Sequence, residues 1–128
     1  MAELKKKQGG FTKVNQLRPL DTGVSLTVKV VSSKQIAQRG RPQGRFAECL
    51  VGDETGMVIF SARNDQVDLM QEGNTIVVTN AKVDMFKGSM RLAVDRFGRV
   101  EITEAASFSV PEDINMSLIE FERIDVVV

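Results

Sequence analysis

Residues 45–70 contain two alternating segments around a glycine-bounded turn, and this pattern most constrains the fold of the chain. Apolar residues alternate with others through Phe46–Val51 and again through Met57–Ala62, which is the period-two pattern of β-strands with one buried face. The five residues GDETG between them have the composition of a turn, in which Asp53 and Glu54 are expected to be turn residues with solvated charges. The pattern predicts a β-hairpin whose Ala47, Cys49, Val51, Val58, Phe60 and Ala62 point into a core, whereas Phe46, Glu48, Ser61 and Arg63 point outward.

Further elements are predicted on both sides of this hairpin. Val24–Val30 alternates apolar and polar residues and predicts a long first strand, which a basic loop over Ser32–Gly44 follows. After the hairpin, Asn64 is suited to cap a short helical turn that ends before Gly73. A second hairpin is predicted from Thr75–Phe86, the turn Lys87–Gly88 and Ser89–Asp95, and Val100–Thr103 adds a short closing strand.

This order of elements is that of an OB-fold, which is an all-β, five-stranded barrel, here with a short helix between strands 3 and 4. Residues 1–10 have a lysine run without periodicity and predict a disordered basic arm, so the OB-fold domain spans 11–104. Residues 105–128 form an acidic and apolar C-terminal extension, expected to pack on the barrel or on a partner. Its pattern does not decide between helix and strand.

The composition excludes several classes of protein. The chain has one cysteine and no histidine, which excludes an internal disulfide, a zinc site built from these residues and histidine-based catalysis. We find no nucleophile paired with a base and no phosphate-binding loop, so we expect a protein that is not an enzyme and has no cofactor. No apolar run is long enough for a membrane span and the first residues lack a signal-peptide core, so we expect an intracellular protein, nuclear or cytoplasmic, with no membrane contact.

The charges are balanced in number but separated along the chain. Lysine and arginine together number 17, as do aspartate and glutamate, for a net charge of zero. The N-terminal segment and the loop before the hairpin are basic, whereas the residues after Val100 are mostly acidic. The two basic segments are therefore the parts suited to a polyanionic partner.

Three stretches of the sequence resemble a known family. The runs VNQLRPLDTGVSLTVKVV, ECLVGDETGMVIFSARNDQVDLMQEGNTIVV and NAKVDMFKGSMRLAVDRFGRVEI are similar to short plant OB-fold proteins related to replication protein A. They are more distantly similar to the single-stranded-DNA sensor subunits of the SOSS complex. The likeness covers about residues 11–124. It implies an OB barrel that binds single-stranded nucleic acid without a catalytic step, in the nucleus or cytosol.

The resemblance and the strand alternation together give a set of candidate ligand contacts. The sensor subunits carry an aromatic residue where this chain has Arg63, and further aromatics where it has Lys82 and Ala93, so that Phe86 alone keeps its ring. Fewer rings predict weaker base stacking and a larger share of the binding for charge. The residues expected to bind single-stranded DNA or RNA, on the outer strand faces and the basic loop, are Lys34, Arg39, Arg41, Arg45, Arg63, Lys82, Phe86, Lys87 and Arg91.

Two other hypotheses remain open from the sequence. Met57, Ile59 and Leu50 on the outward face, with the apolar C-terminal run, are typical of a protein-interaction or homo-oligomerisation surface. Alternatively, Leu118–Val128 folds back over the binding face and its acids compete with nucleic acid.

Overall fold

A computed structural model describes residues 11–36 and 45–121 of the chain. Within these ranges the chain forms six strands and one short α-helix, which lies between the third and fourth strands. None of the helices in the described ranges is long and apolar enough to cross a membrane. The elements are β1 (Val24–Gln35), β2 (Phe46–Asp53), β3 (Gly56–Arg63), α1 (Gln66–Leu69), β4 (Thr75–Phe86), β5 (Ser89–Ala93) and β6 (Arg99–Thr103).

The first five strands close into a barrel. The strand order is β1-β2-β3-β5-β4-β6, and β1 also pairs with β4, which closes the ring. All strand pairs are antiparallel except β3 and β5, which run parallel. The sixth strand, β6, pairs with the first half of β4. The predicted five-stranded OB barrel with a helix between strands 3 and 4 is therefore confirmed.

The first strand is longer than predicted. It continues to Gln35, so the expected loop start at Ser32 is wrong. Val24–Lys29 pairs with β4, whereas the second half of β1 pairs with β2, and the register shifts between Val30 and Ser32. Such a bulge bends a strand so that it can pair with two neighbours of a barrel. The second half of β1 consists mainly of polar residues and does not alternate between apolar and polar side chains. The sequence pattern therefore did not predict this extension of the strand.

The strand alternation places the core as predicted. Inward residues of β2 and β3 such as Cys49 and Phe60 are fully buried, as are Met90 and Leu92 of the neighbouring β5, and Leu92 lies opposite Phe60 in the β3–β5 register. Burial raises the pKa of the Cys49 thiol, although a hydrogen bond with the Ser33 hydroxyl opposes the shift. A buried thiol with a raised pKa is unreactive, which agrees with a packing role.

The helical turn begins one residue later than predicted. Asp65, not Asn64, occupies the N-cap position of α1, and its side chain makes no capping hydrogen bond. Asn64 has a φ of 55°, a left-handed conformation that asparagine tolerates better than most residues. Its amide N–H donates to the carbonyl of Arg45. Asn64 therefore extends the end of the β2–β3 hairpin, and its conformation is incompatible with the predicted cap.

The C-terminal segment that the structure describes, residues 105–121, is neither a long helix nor a ladder strand. It is mostly irregular, with a single 3-10 turn at Met116–Leu118. Earlier in the segment, the carbonyl of Phe108 accepts a hydrogen bond from Lys29 Nζ at 2.7 Å. The predicted disordered arm at residues 1–10 and the last residues, 122–128, lie outside the described ranges.

Ser117 of this segment joins β3 to β5. Its buried hydroxyl accepts from the Ile59 N–H at 2.9 Å and donates to the Met90 carbonyl at 2.6 Å. Further contacts join the carbonyl of Ile114 to β3 and the N–H of Phe121 to Gly88. The segment therefore fills the seam where β3 and β5 diverge, and it also covers the outward Met57, which is only 4% exposed.

The turn of the first hairpin is anchored by a buried carboxylate. The sequence suggested that Asp53 and Glu54 are both solvated, but Asp53 is 1% exposed. Its carboxylate accepts from the N–H of Val14 at 3.0 Å and from the N–H and hydroxyl of Thr55 at 2.8 and 2.6 Å. Glu54 is exposed and forms an ion pair with Lys13 at 2.9 Å. The expectation was wrong for Asp53 because the N-terminal 3-10 turn, Val14–Gln16, packs over it.

Replacing Asp53 is expected to destabilise the barrel. Asp53→Ala leaves the N–H groups of Val14 and Thr55 without their acceptor, and unsatisfied buried donors cost about 1–3 kcal/mol. Urea denaturation followed by circular dichroism measures the change in the free energy of unfolding. The matched control is Glu54→Ala, which removes only an exposed ion pair and should change stability little. Equal effects of the two substitutions would contradict the anchoring role of Asp53.

Candidate nucleic-acid interface

A groove of about 540 Å³ lies on the outer face of the barrel. It crosses four strands in the order β2, β3, β5 and β4, and its walls consist of outward-facing side chains together with Met85, which also packs against the core. Two phenyl rings and four charged groups are among them. The lining residues are Phe46, Glu48, Ser61, Arg63, Asp84, Met85, Phe86 and Arg91.

The two hairpin turns determine which of these side chains are neighbours. The turn of the first hairpin sets Phe46 opposite Arg63 and Glu48 opposite Ser61. The Lys87–Gly88 turn sets Asp84 opposite Arg91 in the second hairpin. Alternation then turns these residues away from the core. Two short turns thus assemble the groove from residues far apart in the sequence.

One ring of the groove stands at the β4–β5 turn. Phe86 ends β4 and is 54% exposed. The Arg91 guanidinium lies 5.1 Å from the centre of this ring, and Lys87 Nζ lies at 5.5 Å. Both distances fall within the range of cation–π contacts. Phe86 is therefore an accessible aromatic surface with positive charge beside it.

The second ring is Phe46, which sequence reasoning placed on the outer face but did not include among the binding residues. The Arg63 guanidinium lies 5.0 Å from the centre of the Phe46 ring. The groove therefore has a second ring besides Phe86, at a position outside those compared with the sensor subunits. The turn length in the sequence could have identified Phe46 as a binding residue, because a two-residue turn after Asp53 places Phe46 directly opposite Arg63.

An ion pair forms the floor of the groove between the rings. Arg91 Nη1 lies 2.6 Å from Glu48 Oε2, and the two side chains are 18% and 38% exposed. The Arg91 Nε atom is buried and has no hydrogen-bond partner among the described residues. With Asp84 and Arg63, the lining carries two positive and two negative side chains. The groove is thus electrically mixed, not uniformly basic.

The structure brings some predicted site residues together and leaves others apart. Arg63, Phe86 and Arg91 line the groove, and Lys87 lies beside Phe86. Lys82 is on the same strand as Phe86 but outside the lining, with its Nζ 3.9 Å from Asp84. Lys34 is exposed near the end of β1, opposite Glu48 in the β1–β2 register. The other two loop residues, Arg39 and Arg41, lie outside the described ranges.

Arg45 is engaged with an acidic partner instead of the groove. Its two terminal nitrogens contact both carboxylate oxygens of Asp68, each at 2.8 Å. The hydrogen bond with Asp68 raises the pKa of Arg45, and the same bond lowers the pKa of Asp68. Sequence reasoning missed this pair because Asp68 belongs to α1, which the chain reaches only after the whole hairpin.

The C-terminal segment approaches the groove at one edge. Phe121 donates its N–H to the carbonyl of Gly88, next to the turn that carries Phe86. No described residue of this segment is among the groove lining. The predicted competition by Leu118–Val128 concerns mainly residues 122–128, which the structure does not describe, and it stays a prediction.

Comparison with known proteins identifies the family. Residues 17–102 match the family described as single-stranded DNA binding protein Ssb-like, OB fold. The chain belongs to this family. An uncharacterized protein of Arabidopsis thaliana is 50% identical over 133 residues, covering 94% of this chain and 87% of that protein. The single-stranded DNA binding protein Ssb of Saccharolobus solfataricus is 30% identical over 102 residues, covering 78% of this chain and 68% of Ssb.

Solved structures agree with this assignment. The solution structure of a hypothetical protein from Arabidopsis thaliana has a TM-score of 0.80 and 46% identity, covering 100% of this chain and 97% of that one. The replication factor A related protein from Methanobacterium thermoautotrophicum has a TM-score of 0.56 at 18% identity, covering 77% and 96%. The second likeness shows the fold alone. The predicted resemblance to plant and replication protein A-related OB-fold proteins is confirmed.

Proposed function

We propose that this protein binds single-stranded nucleic acid, DNA or RNA, in the groove, by contacts that tolerate most sequences. The observation that carries the proposal is the pair of phenyl rings, Phe46 and Phe86, at the two sides of the groove, each with a guanidinium against it. Every base has a flat face that stacks on such a ring, so stacking selects weakly among sequences. The family assignment supports the same ligand class.

In this proposal, phosphates contact the cations at the margin of the groove. Arg63 and Lys87 lie beside the two rings, where a backbone that follows stacked bases would pass. Lys34 and Lys82 are partly or fully exposed on neighbouring strands and extend this positive margin. Arg39 and Arg41, which the sequence places between β1 and β2, complete the proposed set. The protein would act by binding alone, without a catalytic step.

Loss of either ring is expected to weaken binding. Stacking on an aromatic side chain contributes about 1–3 kcal/mol per base, so Phe86→Ala and Phe46→Ala should each lower affinity for a fluorescent oligonucleotide roughly 5-fold or more. Fluorescence anisotropy over a salt series measures affinity and its salt dependence for matched DNA and RNA strands. Affinity should fall steeply with salt because phosphate contacts release counterions.

The matched control for the ring substitutions is Phe97→Ala. Phe97 is also an exposed ring, 70% accessible, with the Arg96 guanidinium 4.9 Å from its centre, but it lies outside the groove. Its removal should leave affinity unchanged. The proposal fails if no oligonucleotide binds at low salt, or if the double variant Phe46→Ala, Phe86→Ala binds as well as the wild-type protein.

Releasing Arg45 from Asp68 is expected to strengthen binding. Asp68→Asn removes the carboxylate that engages both terminal nitrogens of Arg45, and thereby adds one free cation near the end of the groove that Arg63 occupies. Affinity at low salt should rise severalfold, and the slope of log affinity against log salt should steepen. Asp65→Asn removes a nearby exposed charge without freeing Arg45, so the gain should be smaller. Equal gains would show a general charge effect.

A second candidate function is association with a protein or with another copy of the chain. The C-terminal segment exposes apolar side chains, above all Leu118 at 76%, with Ile114, Ile119 and Phe121 beside it in sequence. The predicted patch around Met57 is partly covered by this same segment. The interaction surface of this second candidate function would therefore lie on the segment itself and not on the bare sheet.

Light scattering tests this second function. If the segment joins two copies, the wild-type protein should have twice the mass of one chain, and Leu118→Asp should restore the single-chain mass. Ile102→Asp provides the control, because Ile102 is a 52% exposed apolar residue on β6. A single-chain mass for the wild-type protein across the micromolar range would exclude self-association. Adding an oligonucleotide shows whether the two candidate functions are linked.

A further inference from the structure

The floor of the groove contains a donor–acceptor pair that sequence-tolerant binding does not require. Glu48 on β2 and Arg91 on β5 lie on opposite sides of β3, and their ion pair spans that strand. Ser61 faces outward between them, opposite Glu48. In the strand order, Ser61 on β3 and Arg91 on β5 lie between Phe46 on β2 and Phe86 on β4, and Glu48 shares β2 with Phe46. A base that enters between the rings therefore presents its edge to Glu48, Ser61 and Arg91.

A negatively charged side chain in the floor is unexpected in a groove that is proposed to bind a polyanion. A carboxylate repels phosphates, and the groove lining contains two carboxylates, those of Glu48 and Asp84. Asp84 lies opposite Arg91 in the β4–β5 hairpin. Arg91 contacts only one oxygen of Glu48 within hydrogen-bond distance, and the Glu48 side chain stays 38% exposed. Each carboxylate oxygen accepts more than one hydrogen bond. Glu48 therefore keeps acceptor capacity directed at the groove.

We propose that the Glu48–Arg91 pair recognises guanine, which gives one position of the bound strand a base preference. Guanine has two adjacent N–H donors, at N1 and at the N2 amino group, that match a carboxylate, and its O6 accepts from a guanidinium. Thymine and uracil have a single N–H between two carbonyl oxygens, which the carboxylates disfavour. Adenine and cytosine each offer one amino group without an adjacent N–H. This inference rests on the proposed function.

The ion pair also has a structural role, and the two roles are separable by experiment. An ion pair that only links β2 to β5 would stabilise the sheet but would not distinguish one base from another. A base preference that depends on Glu48 is therefore the property that only the recognition role explains. A bidentate contact between a side chain and a base discriminates by roughly 5-fold to 150-fold in affinity, which corresponds to about 1–3 kcal/mol.

The test uses oligo(dT) strands that carry one dG at successive positions, with dA, dC or deoxyinosine at the same position for comparison. Anisotropy competition against labelled oligo(dT) should show tighter binding of the dG strand by at least roughly 5-fold in the best register. Deoxyinosine lacks the N2 amino group and should lose most of this gain. Because this comparison uses the wild-type protein, its outcome does not depend on the folding of any variant.

The variant Glu48→Gln assigns the preference to the pair. It should bind dG and dT strands nearly equally, and the ratio of these two affinities is the readout, because the loss of a negative charge in the groove changes both affinities together. Glu101→Gln is the control, since Glu101 faces Arg99 at 4.0 Å in an exposed pair outside the groove, and it should keep the preference for dG.

The outcomes separate this inference from the proposed function. Equal affinity for all four bases, a preference for another base, or a dG preference that survives in Glu48→Gln would each overturn guanine recognition while leaving the binding function intact. Absence of binding to every strand, oligo(dT) included, would overturn both.

Discussion

The carboxylate of Asp53 is the interaction on which the arrangement of the groove depends. It fixes the turn between β2 and β3 through Thr55 and joins that turn to the N-terminal 3-10 turn through Val14. Since side chains alternate along a strand, a slip of one residue in this hairpin would exchange its inner and outer faces. In the register observed with this turn, Phe46 lies opposite Arg63 and Glu48 opposite Ser61, so these four side chains share one surface.

The sequence predicted best those features that depend on neighbouring residues. Alternation identified the strands, including Thr75–Phe86 with the bounds observed, and identified which side chains face the core. It was insufficient where a contact joins distant parts of the chain. The Arg45–Asp68 pair, the burial of Asp53 and the filling of the β3–β5 seam all arise from elements that meet only in the folded barrel.

Part of the candidate site was predicted, because the prediction selected residues mainly by positive charge. Selection of positive residues found Arg63, Lys87 and Arg91 but passed over the acidic Glu48 and the ring of Phe46. Charge of one sign is a good guide to phosphate contacts, because these follow the backbone of the ligand. Base contacts need rings, acceptors and donors together. The groove contains all three, so its mixed charge is compatible with binding a polyanion at the margin and bases at the floor.

The C-terminal segment in the β3–β5 seam has a consequence for how the barrel forms. Ile59 and Ser117 share a hydrogen bond across 58 positions of sequence, whereas the β2–β3 hairpin closes through a two-residue loop. Contacts between distant residues form late, because the chain must first lose the entropy of a large loop. The two hairpins are therefore expected to form before Ser117 makes its hydrogen bonds to β3 and β5. The contact between these parallel strands is then stabilised last. Until then, the backbone groups of Ile59 and Met90 remain open to water.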